Sequence, residues 1–156
     1  FVSKQFVLLL CLSLFYSSVL FGKELTRVSL RYFNANELTR IPEYFSGKEY
    51  TGKMVYCRTN QEREGLYFSF SLNQYFRKLL TEKNIILSVI RNGRTEIERF
   101  TFSLPVIEEG KSEIFLGLTG KDWASNKVKP IAWKIELKNS NEDLFLLKKS
   151  FLWSHD

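Results

Sequence analysis

The sequence is poor in the residues that most often carry chemistry, with one histidine and two cysteines among 156 residues. The histidine, His155, is second from the end, where chains commonly fray, so it is badly placed to act as a general base. Together with Cys57 it supplies too few nitrogen and sulfur ligands for a zinc site. We therefore expect no histidine-dependent catalysis, no bound metal and no cofactor.

Charge is missing from residues 6–21, which lie between Lys4 and Gly22. A basic residue followed by an apolar run and a small residue is typical of a secretory signal peptide. We predict a signal peptide over residues 1–22, cleaved after Gly22, and a single exported domain over residues 23–156. The alternative is an uncleaved anchor, because the run falls just short of the roughly 17 to 25 residues that span a membrane. Membrane contact is expected only through this segment.

The predicted mature domain lacks a pair of cysteines, since Cys57 alone follows residue 22, and no asparagine lies in an N-x-S/T acceptor. An exported eukaryotic domain of this size more often carries disulfides and glycosylation sites. The two absences favour a bacterial periplasm or cell surface. Cys57 is predicted to be a buried structural thiol, because free cysteine packs as a small apolar group.

Long blocks of like charge are missing as well. Removing Lys4 from the 23 basic residues leaves 22 against 17 acids, a surplus of +5 that is interleaved along the chain. The closest approach to a nucleic-acid stripe is "YFRKLL", where Arg77 and Lys78 lie beside Tyr75 and Phe76, and these rings are needed in the core. A solvated surface of mixed charge explains the pattern, and we expect no nucleic-acid partner.

A phosphate-binding loop is also missing, although "FLGLTGKDWA" contains two glycines and a lysine after an apolar run. A P-loop has four residues between its glycines and a hydroxyl residue after its lysine. Here Gly117 and Gly120 are separated by two residues, and Asp122 takes the place of the hydroxyl. No nucleotide is expected. An exposed Trp123 beside Lys121 would make the loop a candidate binding site, whereas a buried Trp123 would make it a cover of the core.

Alternating long helices are absent, and short runs of period two take their place. In "PIAWKIELK", Ile131, Trp133 and Ile135 alternate with polar residues, as in a half-buried antiparallel strand. The other predicted strands are residues 25–33, 54–59, 65–72, 113–118 and 144–153, and two runs within 85–104.

Turn signals join several of these strands. Asn92-Gly93 predicts a hairpin with a type I′ turn, and a phase shift in its return strand predicts a bulge near Glu98 and Arg99. The polar run "NSNED" predicts a second hairpin before the last strand. One segment, residues 72–82, has the apolar spacing of a short helix.

About eight short strands with this spacing resemble an immunoglobulin-like or fibronectin-III-like antiparallel β-sandwich, with Trp133 as a candidate core tryptophan. The resemblance predicts an all-β fold of about 7–8 strands. It lacks the paired cysteines of antibody domains and implies no activity, because such sandwiches host unrelated functions.

Acidic residues are the remaining source of chemistry, because a glycosidase needs only two carboxylates at a suitable separation. The candidate pairs lie in polar turns or on outward faces, where acids keep an ordinary pKa and serve solubility. They are Glu62 and Glu64, Glu96 and Glu98, and Glu108 and Glu109. Oxygen ligands at Asn139, Asn141 and Asp143 have a calcium-like spacing, but a hairpin turn favours the same residues.

The linker over residues 34–53 has the strongest claim to a binding role. It is long for a loop in a compact domain, and it carries Tyr44, Phe45 and Tyr50 together with Gly47 and Gly52. Such a composition suits recognition of a sugar or a peptide. The alternative, which the small core of such domains favours, is that these rings cover an open end of the sandwich.

Taken together, these features predict an exported, non-catalytic binding or interaction module, whose partner is another envelope protein or a polysaccharide. One alternative is a subunit of an envelope assembly that pairs through an edge strand, for which the final strand is the candidate. For that strand, however, apolar residues on both faces favour an internal position. The other alternative is a carboxylate-dependent hydrolase of envelope carbohydrate.

Overall fold

The computed structural model describes residues 24–153, so the predicted signal peptide and His155 lie outside the described residues. Eight strands and two short α-helices make up the fold, with 3-10 turns at Ala35–Leu38 and Gly120–Asp122. The strands are β1 (Ser29–Phe33), β2 (Met54–Arg58), β3 (Gly65–Ser71), β4 (Asn84–Arg91), β5 (Glu98–Ser103), β6 (Glu113–Thr119), β7 (Pro130–Lys138) and β8 (Leu144–Lys149). The helices are α1 (Ile41–Ser46) and α2 (Gln74–Leu80).

The strands form two four-stranded sheets, which confirms the predicted β-sandwich. The first sheet has the order β1-β3-β6-β2, and the second has the order β5-β4-β7-β8. All pairings are antiparallel except β2 with β6, which is parallel. This parallel pair departs from the expected purely antiparallel sandwich. β6 lies between β3 and β2, so β2 and β3 follow each other in the chain without being neighbours in the sheet. The closer likeness to immunoglobulin or fibronectin-III domains stays a prediction.

Period-two alternation sends one face of each sheet into a shared apolar core. Leu66, Phe68 and Phe70 point inward from β3, and Ile135 and Leu137 point inward from β7; each is at most 5% exposed. In β3 and in the second half of β7 the inward face is the predicted one, whereas Ile131 at the start of β7 is 43% exposed and Ala132 beside it is 3% exposed, next to a shift in the register with β4.

Two residues singled out in the sequence pack against this core. The Trp133 ring is partly buried and meets Phe68 of the opposite sheet in an edge contact, with 5.7 Å between centroids. Cys57 packs against the core from β2 and is likewise partly buried. Burial raises the pKa of the Cys57 thiol to about 11.

Helix α2 crosses between the sheets and confirms the short helix predicted near residues 72–82. The Asn73 side chain accepts a 2.8 Å hydrogen bond from the Phe76 backbone, which caps the first turn. Phe76 and Leu80 point into the core, in keeping with the apolar spacing of the segment.

The first predicted hairpin exists, but its connection differs in two respects. The Arg94 N–H donates to the Arg91 carbonyl, and Gly93 has a φ of 79° while Asn92 does not have a positive φ. The turn is therefore of type II, not type I′. The pairing of β4 with β5 is continuous, so the bulge predicted near Glu98 and Arg99 is wrong. The phase shift in the sequence marks the loop that precedes β5, which begins at Glu98.

The second predicted hairpin is confirmed, but the expected internal position of its final strand is wrong. Strand β8 forms an edge of the second sheet, where Leu144, Phe145 and Leu146 are 48%, 54% and 41% exposed. In the preceding turn, the Asn139 side-chain oxygen accepts hydrogen bonds from the backbone of Asn141 and Asp143. Turn formation therefore accounts for Asn139.

Candidate functional site

The outer face of the first sheet carries a cluster of aromatic rings, where a solvated sheet normally has polar side chains. Tyr67 and Phe33 meet edge to face at 5.6 Å between centroids, and Phe115 lies 6.3 Å from each of them. Tyr56 joins from β2, 5.1 Å from Phe115. The alternation in β3 and β6 places Tyr67 and Phe115 on the outer face, and this is the signal from which the cluster could have been predicted. The sequence analysis did not single out these residues.

Arg58 lies at the edge of this cluster and links it to the linker. Its guanidinium forms a two-pronged pair with Glu49 at 2.9 and 2.6 Å, and Nε donates to the Tyr67 hydroxyl at 2.6 Å. It also stacks 4.7 Å from the Tyr56 ring centroid. Burial opposes the charged form, but the hydrogen bonds to Glu49 and Tyr67 outweigh it and raise the pKa of Arg58. Arg58 therefore stays a fixed cation that holds the linker on the sheet.

A second ion pair fixes helix α1 at the same place. Arg63 donates to the Glu43 carboxylate at 2.6 Å, and the Arg63 carbonyl accepts the Tyr67 hydroxyl proton at 2.6 Å. The other Glu43 oxygen accepts from the backbone N–H groups of Arg40 and Tyr50. The hydrogen bond from Arg63 is the main cause that lowers the pKa of Glu43. Glu43 thus closes the segment from residue 40 to residue 50 into a compact loop.

The anchored loop turns large apolar side chains to solvent. Ile41, Tyr44 and Phe45 are 74%, 79% and 88% exposed, and Tyr50 is 52% exposed. Ile41, Tyr44 and Phe45 follow the spacing that places side chains on one face of a helix. We call these four residues the α1 patch. The alternative that the linker rings cover an open end of the sandwich is wrong, because all three rings lie at the surface.

The other candidate loop has a different outcome. Trp123 is 1% exposed, and its indole N–H donates to the Val128 carbonyl at 3.3 Å. The guanidinium of Arg91 lies 4.2 Å from the indole centroid and donates to the Asp122 carbonyl. Lys121 is exposed on the turn above. The loop is therefore a cover of the core, and the Trp123 ring is not accessible to a ligand.

Two of the acids considered for catalysis are held by neighbouring side chains, Glu98 by Arg91 and Glu64 by Tyr32. The Glu64 carboxylate accepts a hydrogen bond from the Tyr32 hydroxyl at 2.9 Å. Burial, with that bond, raises the pKa of Tyr32 to about 12. The pKa of Glu43, by contrast, is lowered, chiefly by the hydrogen bond from Arg63. A general acid requires the opposite shift. Within residues 24–153, no three histidine, cysteine or acidic residues lie close enough together to hold a metal ion.

Residues 24–153 contain no helix with the length and apolar character to cross a membrane. Comparison of the chain with protein-family models, with curated proteins and with solved structures gives no match.

Proposed function

We propose that the protein is an exported, non-catalytic interaction module of the bacterial envelope, which binds a partner protein through the α1 patch. The observation that supports this most directly is the exposure of Ile41, Tyr44 and Phe45 on a helix that ion pairs hold in place. Exposed apolar side chains that cluster on a fixed backbone are typical of protein interfaces.

The rigidity of the loop is part of the support. Binding costs less free energy when the contacting side chains are already on an ordered backbone. The Arg58–Glu49 and Arg63–Glu43 pairs provide that order. Both glutamates lie in the linker segment, while Arg58 ends β2 and Arg63 lies in the connection between β2 and β3.

The chemistry of the patch favours a protein over a polysaccharide. A sugar-binding platform combines a flat ring with polar groups that bond the sugar hydroxyls. The α1 patch instead combines three aromatic rings with the branched side chain of Ile41, beside Pro42. Tyrosine and phenylalanine with aliphatic neighbours are what the centre of a protein interface contains. A polysaccharide partner is the alternative outcome of the experiment.

The test is to isolate the partner from the native envelope and then titrate it, once purified, against variants of this protein. The double variant Tyr44→Ser with Phe45→Ser should weaken binding at least about tenfold, because removing a central ring costs on the order of 2 kcal/mol. Its stability should be unchanged within about 0.5 kcal/mol, since both rings are exposed.

Phe151→Ser is the matched control, because Phe151 is 99% exposed outside the patch. This variant should bind as tightly as the unsubstituted protein. Equal affinity of the double variant would overturn the proposal, and so would recovery of a polysaccharide as the partner.

A second candidate function is a subunit of an envelope assembly that pairs through β8. The observation in its favour is that β8 is an edge strand with exposed Leu144, Phe145 and Leu146. Edge strands with apolar side chains readily accept another strand. One backbone bond, from Leu25 N–H to the Leu147 carbonyl, already covers part of that edge.

Lysine substitutions at Leu144 and Leu146 separate this candidate from the first. Charge on an edge strand blocks pairing with another strand, and both side chains are exposed enough to keep the fold intact. If the protein assembles through β8, these variants should no longer form the assembly, as measured by native size-exclusion chromatography. Under the α1 proposal they keep the partner, whereas the Tyr44→Ser, Phe45→Ser variant loses it.

A further inference from the structure

Among the partly buried arginines of the described residues, Arg77 alone has no carboxylate partner. Four arginines of residues 24–153 are partly buried, and three of them pair with a carboxylate. The pairs are Arg58 with Glu49, Arg63 with Glu43, and Arg91 with Glu98. The fourth is Arg77 on α2, and no ion pair joins it to an acid in the described part of the chain.

The Arg77 guanidinium is satisfied only in part. One terminal nitrogen donates to the Lys111 carbonyl at 2.9 Å, while Nε is buried without a hydrogen-bond partner. A partly desolvated guanidinium without a counter-charge is costly, because burial weakens its hydration. An anionic ligand beside Arg77 would supply the counter-charge that the described residues do not supply.

Beside Arg77 lies a cavity of about 650 Å³, within the range of about 300 to 1,000 Å³ that is usual for small-molecule sites. Its floor is fixed, since the Ile107 N–H donates to the Thr81 hydroxyl at 3.1 Å and ties the loop to the end of α2. The lining combines cationic, polar and apolar side chains with one acid: Arg77, Lys78, Gln74, Val106, Ile107 and Glu109.

We propose that this cavity binds a small amphiphilic carboxylate, independently of the α1 patch. The carboxylate pairs with Arg77 and Lys78, whose positions at the end of α2 place two cations on one lining. The apolar body rests on Val106, which is 61% exposed. A dianionic phosphate fits less well, because Glu109 adds negative charge and Val106 offers no hydrogen bond.

The test titrates the purified protein with sodium hexanoate and follows backbone amide shifts by NMR. Hexanoate should produce saturable shifts at residues 74–81 and 105–109. Hexanol, which has the same carbon chain without the charge, and inorganic phosphate, which has charge without the chain, should each bind at least about tenfold more weakly. No saturable shift with hexanoate, or phosphate binding of equal affinity, would overturn the proposal.

Charge variants locate the site. Arg77→Gln should weaken hexanoate binding about tenfold or more, because it removes the cation of a charge-assisted hydrogen bond. Lys78→Gln should weaken it about threefold. The second variant keeps the test decisive if Arg77→Gln fails to fold, since Lys78 is exposed. Glu109→Gln removes a competing negative charge and should tighten binding.

Arg99→Gln is the matched control, because Arg99 is an exposed arginine on β5, away from the cavity lining. It removes the same charge and should leave the affinity unchanged. Unchanged affinity in both Arg77→Gln and Lys78→Gln, or an equal loss in Arg99→Gln, would show that hexanoate binds elsewhere. Weaker binding by Glu109→Gln would contradict an anionic ligand at this position.

Discussion

The Tyr67 ring lies directly against the backbone of Gly117, on the outer face of the first sheet. A Cβ at Gly117 would stand 2.6 Å from Cε1 of Tyr67, closer than packed atoms allow. The bare backbone lets the ring lie flat enough for its hydroxyl to reach Arg58 and the Arg63 carbonyl. Gly117, which belongs to the loop-like sequence "FLGLTGKDWA", therefore makes room for the Tyr67 ring and does not bind phosphate.

Gly117→Ala should destabilise the protein by about 1 to 3 kcal/mol, because the added methyl forces the Tyr67 ring to move. Urea unfolding measures the loss. Gly110→Ala is the control, since a Cβ there meets nothing within 4 Å, and it should be neutral or slightly stabilising. If the two variants had equal stability, the close contact of Tyr67 with Gly117 would be contradicted.

Glu49→Gln should cost about 1 to 3 kcal/mol and speed amide exchange in residues 48–50, because it leaves the Arg58 cation with a neutral partner. The side chains of Arg58 and Glu49 are only 12% and 26% exposed. Glu142→Gln breaks a pair with Lys138 in which Glu142 is 82% exposed. That control should change the free energy of unfolding by less than about 0.5 kcal/mol.

Acid should release the α1 loop before it unfolds the sheets. The pKa of Glu43 is lowered from its ordinary value of 4.5, so its stabilising contribution is fully present above that value. The contribution is lost as the pH falls through the lower pKa of the folded state. The Tyr50 N–H donates to Glu43, so its protection from exchange, relative to the intrinsic rate at each pH, should fall below pH 4.5. Glu43→Gln should remove this pH dependence, and continued protection of Tyr50 at the lowest pH that keeps the sheets intact would argue against it.

The Cys57 thiol should react slowly with alkylating reagents in the folded protein. A pKa raised from 9.0 to about 11 leaves about 100-fold less thiolate at pH 8, and the thiolate is the nucleophile. Labelling should speed up about tenfold for each pH unit towards the pKa, and it should be fast in denaturant. Rapid labelling of the folded protein at pH 8 would mean that the thiol is not buried against the core.

Local patterns in the sequence predict most of the strands, because one face of each strand is apolar and the alternation shows which face is buried. "PIAWKIELK" becomes β7 with Ile135 and Leu137 inside. Order within a sheet is not local. The partner of β2 is β6, and the two share no turn or sequence pattern that pairs them. For the same reason, the edge position of β8 could not be predicted from its own apolar residues.

The candidate site shows the same division. The linker, with Tyr44, Phe45 and Tyr50, is recognisable because aromatic residues in a long loop are unusual. The Arg58–Glu49 ion pair that holds the linker cannot be predicted from the sequence, because the two side chains meet only when β2 is in the sheet. Trp123 could have been exposed or buried on sequence grounds, and the Arg91 side chain that covers it comes from a strand in the opposite sheet.

Because β2 pairs in parallel with β6, a strand far along the chain, we expect the α1 patch to become ordered late in folding. Met54 pairs with Glu113, 113 − 54 = 59 residues further along the chain, and β2 has no other neighbour in its sheet. Closing so long a loop costs entropy that local hairpins do not incur, so we expect β4 with β5 and β7 with β8 to form first. Arg58, which anchors the patch, belongs to β2, so we expect the patch to form after these hairpins. A partner that recognises the α1 patch would therefore bind the native protein and not its folding intermediates.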